Sequence, residues 1–143
     1  MYVLDTNVLV AALWSSSGAS FQLVKRAIEG DLEFAISVAL ALEYEEVLKR
    51  AAIVEASWAS ADELDVVLDA LLARAKLIMP IRTRLRPALT DPSDEMVLEC
   101  AVQSGADAIV TMNVKDFRSA RALYRLSLLR PAEALRRLEG KER

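Results

Sequence analysis

Short apolar runs alternate along the chain with longer segments in which apolar residues recur at helical spacing. A continuous apolar run of about four to eight residues favours a strand, and apolar residues at i, i+3, i+4 and i+7 favour a helix. This pattern predicts strands over 2–5, 33–37, 76–80, 108–111 and 123–129. It also predicts a loop over 81–93 and helices over 7–14, 19–30, 38–53, 61–75, 94–105 and 131–140.

The alternation of strands and helices predicts an α/β fold. Parallel strands need crossover connections, and helices that make those crossovers cover the faces of the sheet. We therefore expect a three-layer α/β/α sandwich around a mostly parallel sheet, with apolar strands covered on both faces. With 143 residues, of which 54% are hydrophobic and 27% charged, the whole chain (1–143) is expected to form a single domain.

Composition excludes several kinds of chemistry. The chain has no histidine, which excludes Ser-His-Asp and Cys-His catalysis, histidine-ligated zinc and the histidine pair of metal-free ribonucleases. Its one cysteine, Cys100, permits no internal disulfide. Together with the lack of a signal-peptide pattern or a membrane-spanning apolar stretch, this leads us to expect a cytoplasmic protein.

Charge is unevenly distributed along the chain. Residues 1–116 contain 10 basic and 18 acidic side chains, whereas residues 117–143 contain 8 basic and 3 acidic ones. An acidic body with a basic tail is compatible with a polyanion held beside a cation-filled acidic site, although a solvated helical face is the simpler interpretation.

Carboxylates follow or precede several of the predicted strands. Because ligands of open α/β sheets bind beyond the carboxyl ends of the strands, side chains from these separate segments are expected at one edge. The segments are the end of the first strand, the helix after the second strand, the start of the helix before the fourth strand, and the loop after the fourth strand. Their candidate residues are Asp5 with Asn7, Glu43, Asp91 with Asp94, and Thr111 with Asn113 and Asp116.

Each carboxylate also has a simpler structural interpretation. Asp5 is a possible N-cap of the first helix, and Asp91 followed by Pro92 is more typical of a helix start than of a catalytic acid. Glu43 is followed by further acids and is compatible with an exposed helix face, while Asp116 is placed to cap a short turn. The joint placement of these residues is therefore the argument, rather than any one of them.

Converging carboxylates imply a divalent cation. Several carboxylates in close proximity cannot all remain ionised without positive charge between them. Oxygen ligands without histidine or cysteine favour Mg²⁺ or Mn²⁺, which activate water and neutralise a leaving oxygen in phosphodiester hydrolysis.

Four ordered segments that span nearly the whole chain carry a resemblance to a known family: VLDTNVLVAAL, SVALALEYEEVLKR, DPSDEMVLECAVQSGADAIVTMNVKDF and LSLLRPAEAL. With these segments the chain resembles the PIN-domain family, in particular the VapC-like toxins of bacterial and archaeal toxin–antitoxin modules. The resemblance implies a parallel five-stranded sheet of order 3-2-1-4-5. It further implies a Mg²⁺- or Mn²⁺-dependent ribonuclease with RNA as substrate, a cognate antitoxin as partner, and a homodimer.

The same resemblance assigns roles to individual residues. It implies that Asn7, Thr111 and Asn113 orient the acids or contact substrate and water. Asp91 is an additional acid, and it is a candidate to assist from outside the metal ligands. Many relatives have Asp where this chain has Asn113, so the fourth acid rests on Asp116. The acidic quartet that binds metal and cuts RNA corresponds to Asp5, Glu43, Asp94 and Asp116.

Three further features of the sequence leave alternatives open. The alternating arginines Arg82, Arg84 and Arg86 are candidates for phosphate contact and equally compatible with a solvated loop. Trp14 is expected to pack in the core or at an interface rather than to stack on a base. Cys100 is expected to be a buried, unreactive thiol.

Two other functions compete with the ribonuclease. One is a PIN-like module that has lost catalysis and binds RNA or protein. The other is an aspartyl-phosphate phosphatase with Asp5 as nucleophile, which is disfavoured because such enzymes place a second Asp where this chain has Asn7.

Overall fold

The computed structural model describes residues 1–79, 89 and 91–141, except for the side chains of residues 122, 123 and 141. The strands of this part are β1 (Tyr2–Leu4), β2 (Ala35–Ser37), β3 (Lys76–Ile78), β4 (Ala108–Val110) and β5 (Ser127–Leu129). A 3-10 turn covers Val114–Phe117. The helices are α1 (Thr6–Trp14), α2 (Ala19–Ile28), α3 (Val38–Leu48), α4 (Ala51–Ala56), α5 (Ala61–Arg74), α6 (Pro92–Ser104), α7 (Arg118–Tyr124) and α8 (Pro131–Lys141).

All strand pairs are parallel, as expected, but the predicted continuous sheet is not confirmed. The strands form one sheet of order β1-β4-β5 and another in which β2 pairs with β3. One isolated parallel bridge joins Tyr2 to Phe34, and the Tyr2 N–H donates to the Glu33 carbonyl at 3.0 Å. The two sheets therefore meet at β1 and β2 without a continuous ladder of hydrogen bonds between them.

The core surrounds β1 and β4, whose residues are all buried. Helix α6 packs against β1, β2 and β4, while α1 packs against α2 and α3. The thiol of Cys100, in α6, is fully buried among these elements, and burial raises its pKa to about 11. The expectation that Cys100 is buried is confirmed.

Three predicted elements were wrong in part. The helix expected over 38–53 is interrupted because Arg50 adopts an extended backbone (φ −61°, ψ 135°) between α3 and α4. The strand expected over 123–129 begins late, because α7 continues to Tyr124 and Arg125 then takes a left-handed conformation with φ 53°. Strand β3 is not covered on both faces, since Leu77 is 51% exposed.

The helices of the described ranges are each too short or too polar to span a lipid bilayer.

Candidate functional site

A cleft of about 490 Å³ lies beyond the carboxyl ends of β1 and β4, beside α1, α3 and α6. All five carboxylates that the sequence analysis selected line this cleft, although they come from four separate segments. The cleft is lined by Asp5, Thr6, Asn7, Val10, Ala11, Trp14, Glu43, Val47, Asp91, Ser93, Asp94, Met112, Asn113 and Asp116.

Asp5 is the most deeply buried of these carboxylates. Its N–H donates to the Val110 carbonyl at 2.9 Å, which holds it directly after β1, and its residue exposure is 7%. Burial raises the pKa of the Asp5 carboxyl, whereas the Thr111 hydroxyl and the N–H groups of Thr6 and Asn7 lower it. The carboxylate of Glu43 raises it further by repulsion. Asp5 occupies the N-cap position of α1, as the capping interpretation expects, but its side chain makes no standard capping hydrogen bond there.

Thr111 holds the buried carboxylate in place. Its hydroxyl donates to Oδ2 of Asp5 at 2.7 Å and accepts from the N–H of Asn113 at 3.1 Å. The Asn7 side chain reaches the same loop, since its Oδ1 accepts from the Met112 N–H at 3.2 Å. Its Nδ2 donates to the Thr111 hydroxyl at 3.5 Å, at the long limit for a hydrogen bond. The loop after β4 is thus connected to both Asp5 and α1.

Glu43 reaches the cleft from α3. This helix begins directly after β2, where the Ser37 hydroxyl accepts from the Leu40 N–H at 3.1 Å as an N-cap. The Thr6 hydroxyl donates to Oε2 of Glu43 at 2.9 Å. The next residue, Tyr44, is buried, and its hydroxyl donates to the carbonyl of Leu4 at the end of β1. Helix α3 is therefore fixed to the strand that carries Asp5.

Asp91 and Asp94 stand at the start of α6. Asp91 is the N-cap, since its Oδ1 accepts from the Ser93 N–H at 2.9 Å, and Pro92 occupies the first helical position. The predicted capping role of Asp91 is confirmed. Burial raises the pKa of Asp94 to about 6, and the negative charges of Asp5, Asp91, Asp116 and Glu43 add to this rise. The first turn of a helix favours negative charge, so this repulsion acts against the helix dipole.

Asp116 occupies the exposed rim of the cleft. It lies within the 3-10 turn rather than at its cap, and its N–H donates to the Asn113 carbonyl at 3.1 Å. The side chain of Asn113 makes no capping hydrogen bond to this turn. The simple capping interpretation of Asp116 is therefore wrong.

A family model with the description "PIN domain" matches residues 1–115 of the chain. The chain belongs to the PIN-domain family. No curated protein and no solved structure gives a significant match. The matched range includes Asp5, Glu43 and Asp94 and ends one residue before Asp116. PIN domains have a nuclease fold and are typically metal-dependent nucleases.

The electrostatics of this PIN domain fit a divalent cation in sign and in donor chemistry. Five carboxylates line the cleft, and no Lys or Arg is among its lining residues in the part of the chain that the structure describes. Carboxylate and amide oxygens are the donors that Mg²⁺ and Mn²⁺ prefer. Among the described residues, no three acidic or cysteine side chains lie close enough to hold one ion. The carboxylates of the cleft therefore do not form a complete coordination shell.

Several residues fall outside the predicted picture of this PIN domain. Trp14 lines the cleft and is 57% exposed, so packing in the core was the wrong expectation. The sequence did not predict that Thr6 hydrogen-bonds to Glu43, because the two residues are 37 positions apart and no local pattern connects them. The arginines Arg82, Arg84 and Arg86 lie outside the described residues.

Proposed function

We propose that this PIN domain is a metal-dependent endoribonuclease that hydrolyses RNA phosphodiester bonds and acts as the toxin of a toxin–antitoxin pair. The observation that carries the proposal is the convergence of Asp5, Glu43, Asp94 and Asp116 on one cleft that has no basic lining residue among the described ones. Burial raises the pKa of Asp94 most, and repulsion by the neighbouring carboxylates, which have no cationic partner in the cleft lining, adds to the rise.

In the proposed reaction these four carboxylates would hold Mg²⁺ or Mn²⁺. When bound, the cation supplies an activated water and neutralises charge on the leaving oxygen. The Thr111 hydroxyl restrains the Asp5 carboxylate and lowers its pKa, which opposes the larger rise that burial causes. The Thr6 hydroxyl restrains Glu43 from α1 through its hydrogen bond to Oε2.

Two substitutions test the proposal. Asp5→Asn and Asp94→Asn should each reduce Mn²⁺-dependent cleavage of structured RNA to the background level, because each removes a negative ligand with little change in shape. Asp69→Asn is the matched control, since Asp69 is an exposed carboxylate of α5 outside the cleft. Cleavage by both cleft variants at the wild-type rate would refute the proposal, as would cleavage that persists in a chelator.

A catalytically inactive binding module is the second candidate. It is favoured by the lack of three acidic side chains within range of one ion in the described residues. Titration with Mn²⁺ distinguishes the two functions, because a module that has lost its site should show neither metal binding nor metal-stimulated cleavage. The aspartyl-phosphate phosphatase is disfavoured because Asn7 offers no acid–base group, and its side chain accepts a hydrogen bond from the Met112 N–H.

We also propose a cognate antitoxin as protein partner and a homodimer as the assembly, both on the basis of the resemblance. A small partner gene next to this one would support the toxin role. Light scattering of the purified protein gives the assembly state directly, and a monomer at all concentrations would contradict the dimer.

A further inference from the structure

The cleft that holds the acids continues into an apolar part. This part is lined by Val10, Ala11 and Trp14 of α1 and by Val47 of α3. Val47 lies one helical turn beyond Glu43, and Trp14 lies two turns beyond Asn7. Both helices therefore lead away from the carboxylates with apolar residues on the face that lines the cleft.

The sequence of α1 explains why Trp14 is on this face. Val8, Leu9, Ala12 and Leu13 form the buried face of the helix. Asn7, Ala11 and Trp14 recur at i, i+4 and i+7, so they share the opposite face. Helical side chains lean toward the N-terminus of their helix, and the N-terminus of α1 is the end that follows Asp5.

The other tryptophan of the chain shows what a structural role looks like. The Nε1 of Trp58 donates to the Ala12 carbonyl at 2.8 Å, and its ring meets Phe21 edge-on with centroids 5.6 Å apart. Within the described ranges, the indole of Trp14 has neither a hydrogen bond nor a ring contact, and 57% of its residue surface is exposed. Packing accounts for Trp58 and leaves Trp14 unexplained.

We propose that Trp14 is the stacking surface for one unpaired base of the strand whose phosphate lies against the carboxylates. This inference rests on the proposed function and adds a residue that determines which part of an RNA the cleft accepts. Every base has a π-face, so stacking on tryptophan tolerates any sequence but requires the base to be free of its duplex. The cleft would therefore prefer single-stranded positions.

Fluorescence of single-tryptophan variants tests the inference, because the chain has two tryptophans. The probe is a single-stranded RNA with Ca²⁺, a divalent cation with oxygen ligands, in place of Mn²⁺. Gel electrophoresis of the RNA after each titration verifies that binding is measured without cleavage. The variant with Trp58→Phe retains Trp14, and its emission should be quenched on RNA binding. The variant with Trp14→Phe retains Trp58, and its emission should not change.

Affinity gives a second measurement. Trp14→Ala should weaken binding of the single strand by about 5- to 150-fold, the range for loss of one stacked base. Leu42→Ala is the matched control, since Leu42 is an exposed apolar residue (62%) of α3 outside the cleft, and it should leave the affinity unchanged. A fully paired duplex of the same sequence should not quench Trp14.

The outcomes separate this inference from the proposed function. Binding that leaves Trp14 emission unchanged and is insensitive to Trp14→Ala would overturn the stacking role alone. Emission of Trp14 that depends on protein concentration instead of RNA would assign the indole to a contact between copies and also overturn it. Failure of every variant to bind RNA, together with no cleavage by the wild type, would overturn both.

Discussion

At the scale of single residues, the buried hydroxyl of Thr111 connects three residues that line the cleft. It contacts the Asp5 carboxylate, the Asn7 amide and the Asn113 N–H. Replacing Thr111 by valine, which has a similar shape, leaves the buried Asp5 carboxylate without its side-chain donor.

Thr111→Val is therefore expected to lower the free energy of unfolding by about 1–3 kcal/mol, the usual cost of a buried polar group without a partner. Loss of the donor should also raise the pKa of Asp5, so metal-dependent cleavage should require a higher pH. Urea unfolding and a pH–rate profile measure the two effects. Thr111→Ser keeps the hydroxyl and should restore the profile, and an unchanged profile in the valine variant would contradict the role of Thr111.

Asp94 predicts the pH dependence of stability in the metal-free protein. Its pKa is raised from 3.8 to about 6 in the folded state, so the folded state holds a proton that the unfolded state has already lost. The wild type should therefore lose stability relative to Asp94→Asn as the pH rises from about 4 to 6, and the difference should be constant above that. A shift of this size corresponds to roughly 3 kcal/mol, which partial exposure of the side chain reduces to about 1 kcal/mol.

Urea unfolding in a chelator between pH 3.5 and 8 checks this expectation. Asp69→Asn should follow the wild type throughout, since its carboxylate lies on α5 away from the cleft. Equal stability of Asp94→Asn and wild type at pH 7 would show that burial and the neighbouring carboxylates do not raise the pKa of Asp94 as described.

At the scale of elements, the end of α6 sets the direction in which the chain enters β4. Gly105 follows the helix with φ 68°, in the left-handed region, and a Cβ there would meet no atom within 4 Å. A substitution therefore acts through the backbone conformation alone.

Gly105→Ala should lower the free energy of unfolding by about 1–2 kcal/mol without reducing the specific activity of the folded protein. Gly140→Ala is the matched control, because Gly140 lies in α8 with equally open surroundings and no left-handed φ. Alanine in a helix is favoured by about 0.5–1 kcal/mol, so thermal unfolding should move in opposite directions for the two variants. Equal shifts would contradict the proposed backbone effect.

The elements show how much of the fold could be predicted from the sequence. Runs such as 2–4 and 108–110 are apolar throughout and gave β1 and β4, since burial on both faces leaves a clear pattern. The break between α3 and α4 had no such signal, because neither Gly nor Pro marks Arg50. The exposure of β3 depends on which other element packs against it, and the pattern of apolar residues does not predict that packing.

The candidate site divides in the same way. Its location beyond the strand ends follows from a general property of parallel sheets, and that property was enough to select Asp5 and Asp116 from the sequence. The contacts of Thr6 with Glu43 and of Thr111 with Asp5 depend on side-chain positions far apart in the chain. Such contacts leave no periodic pattern and had to be read from the structure.

At the scale of the whole molecule, metal binding should be coupled to folding. Any ion that binds only the folded state raises the free energy of unfolding, by about 2.7 kcal/mol at a concentration of 100 times Kd. Mn²⁺ is therefore expected to raise the melting temperature of the wild type by several degrees and to leave Asp5→Asn and Asp94→Asn nearly unchanged. Calorimetry with and without a chelator measures this, and equal shifts in all three proteins would place the ion elsewhere.

The buried thiol of Cys100 provides a built-in reporter for all of these comparisons. It is the one cysteine of the sequence and is fully buried in the folded protein, so a thiol reagent can modify it only when the surrounding helices and strands open. The rate of alkylation would therefore give the opening equilibrium of each variant under native conditions, at micromolar concentration and in the presence of RNA or metal.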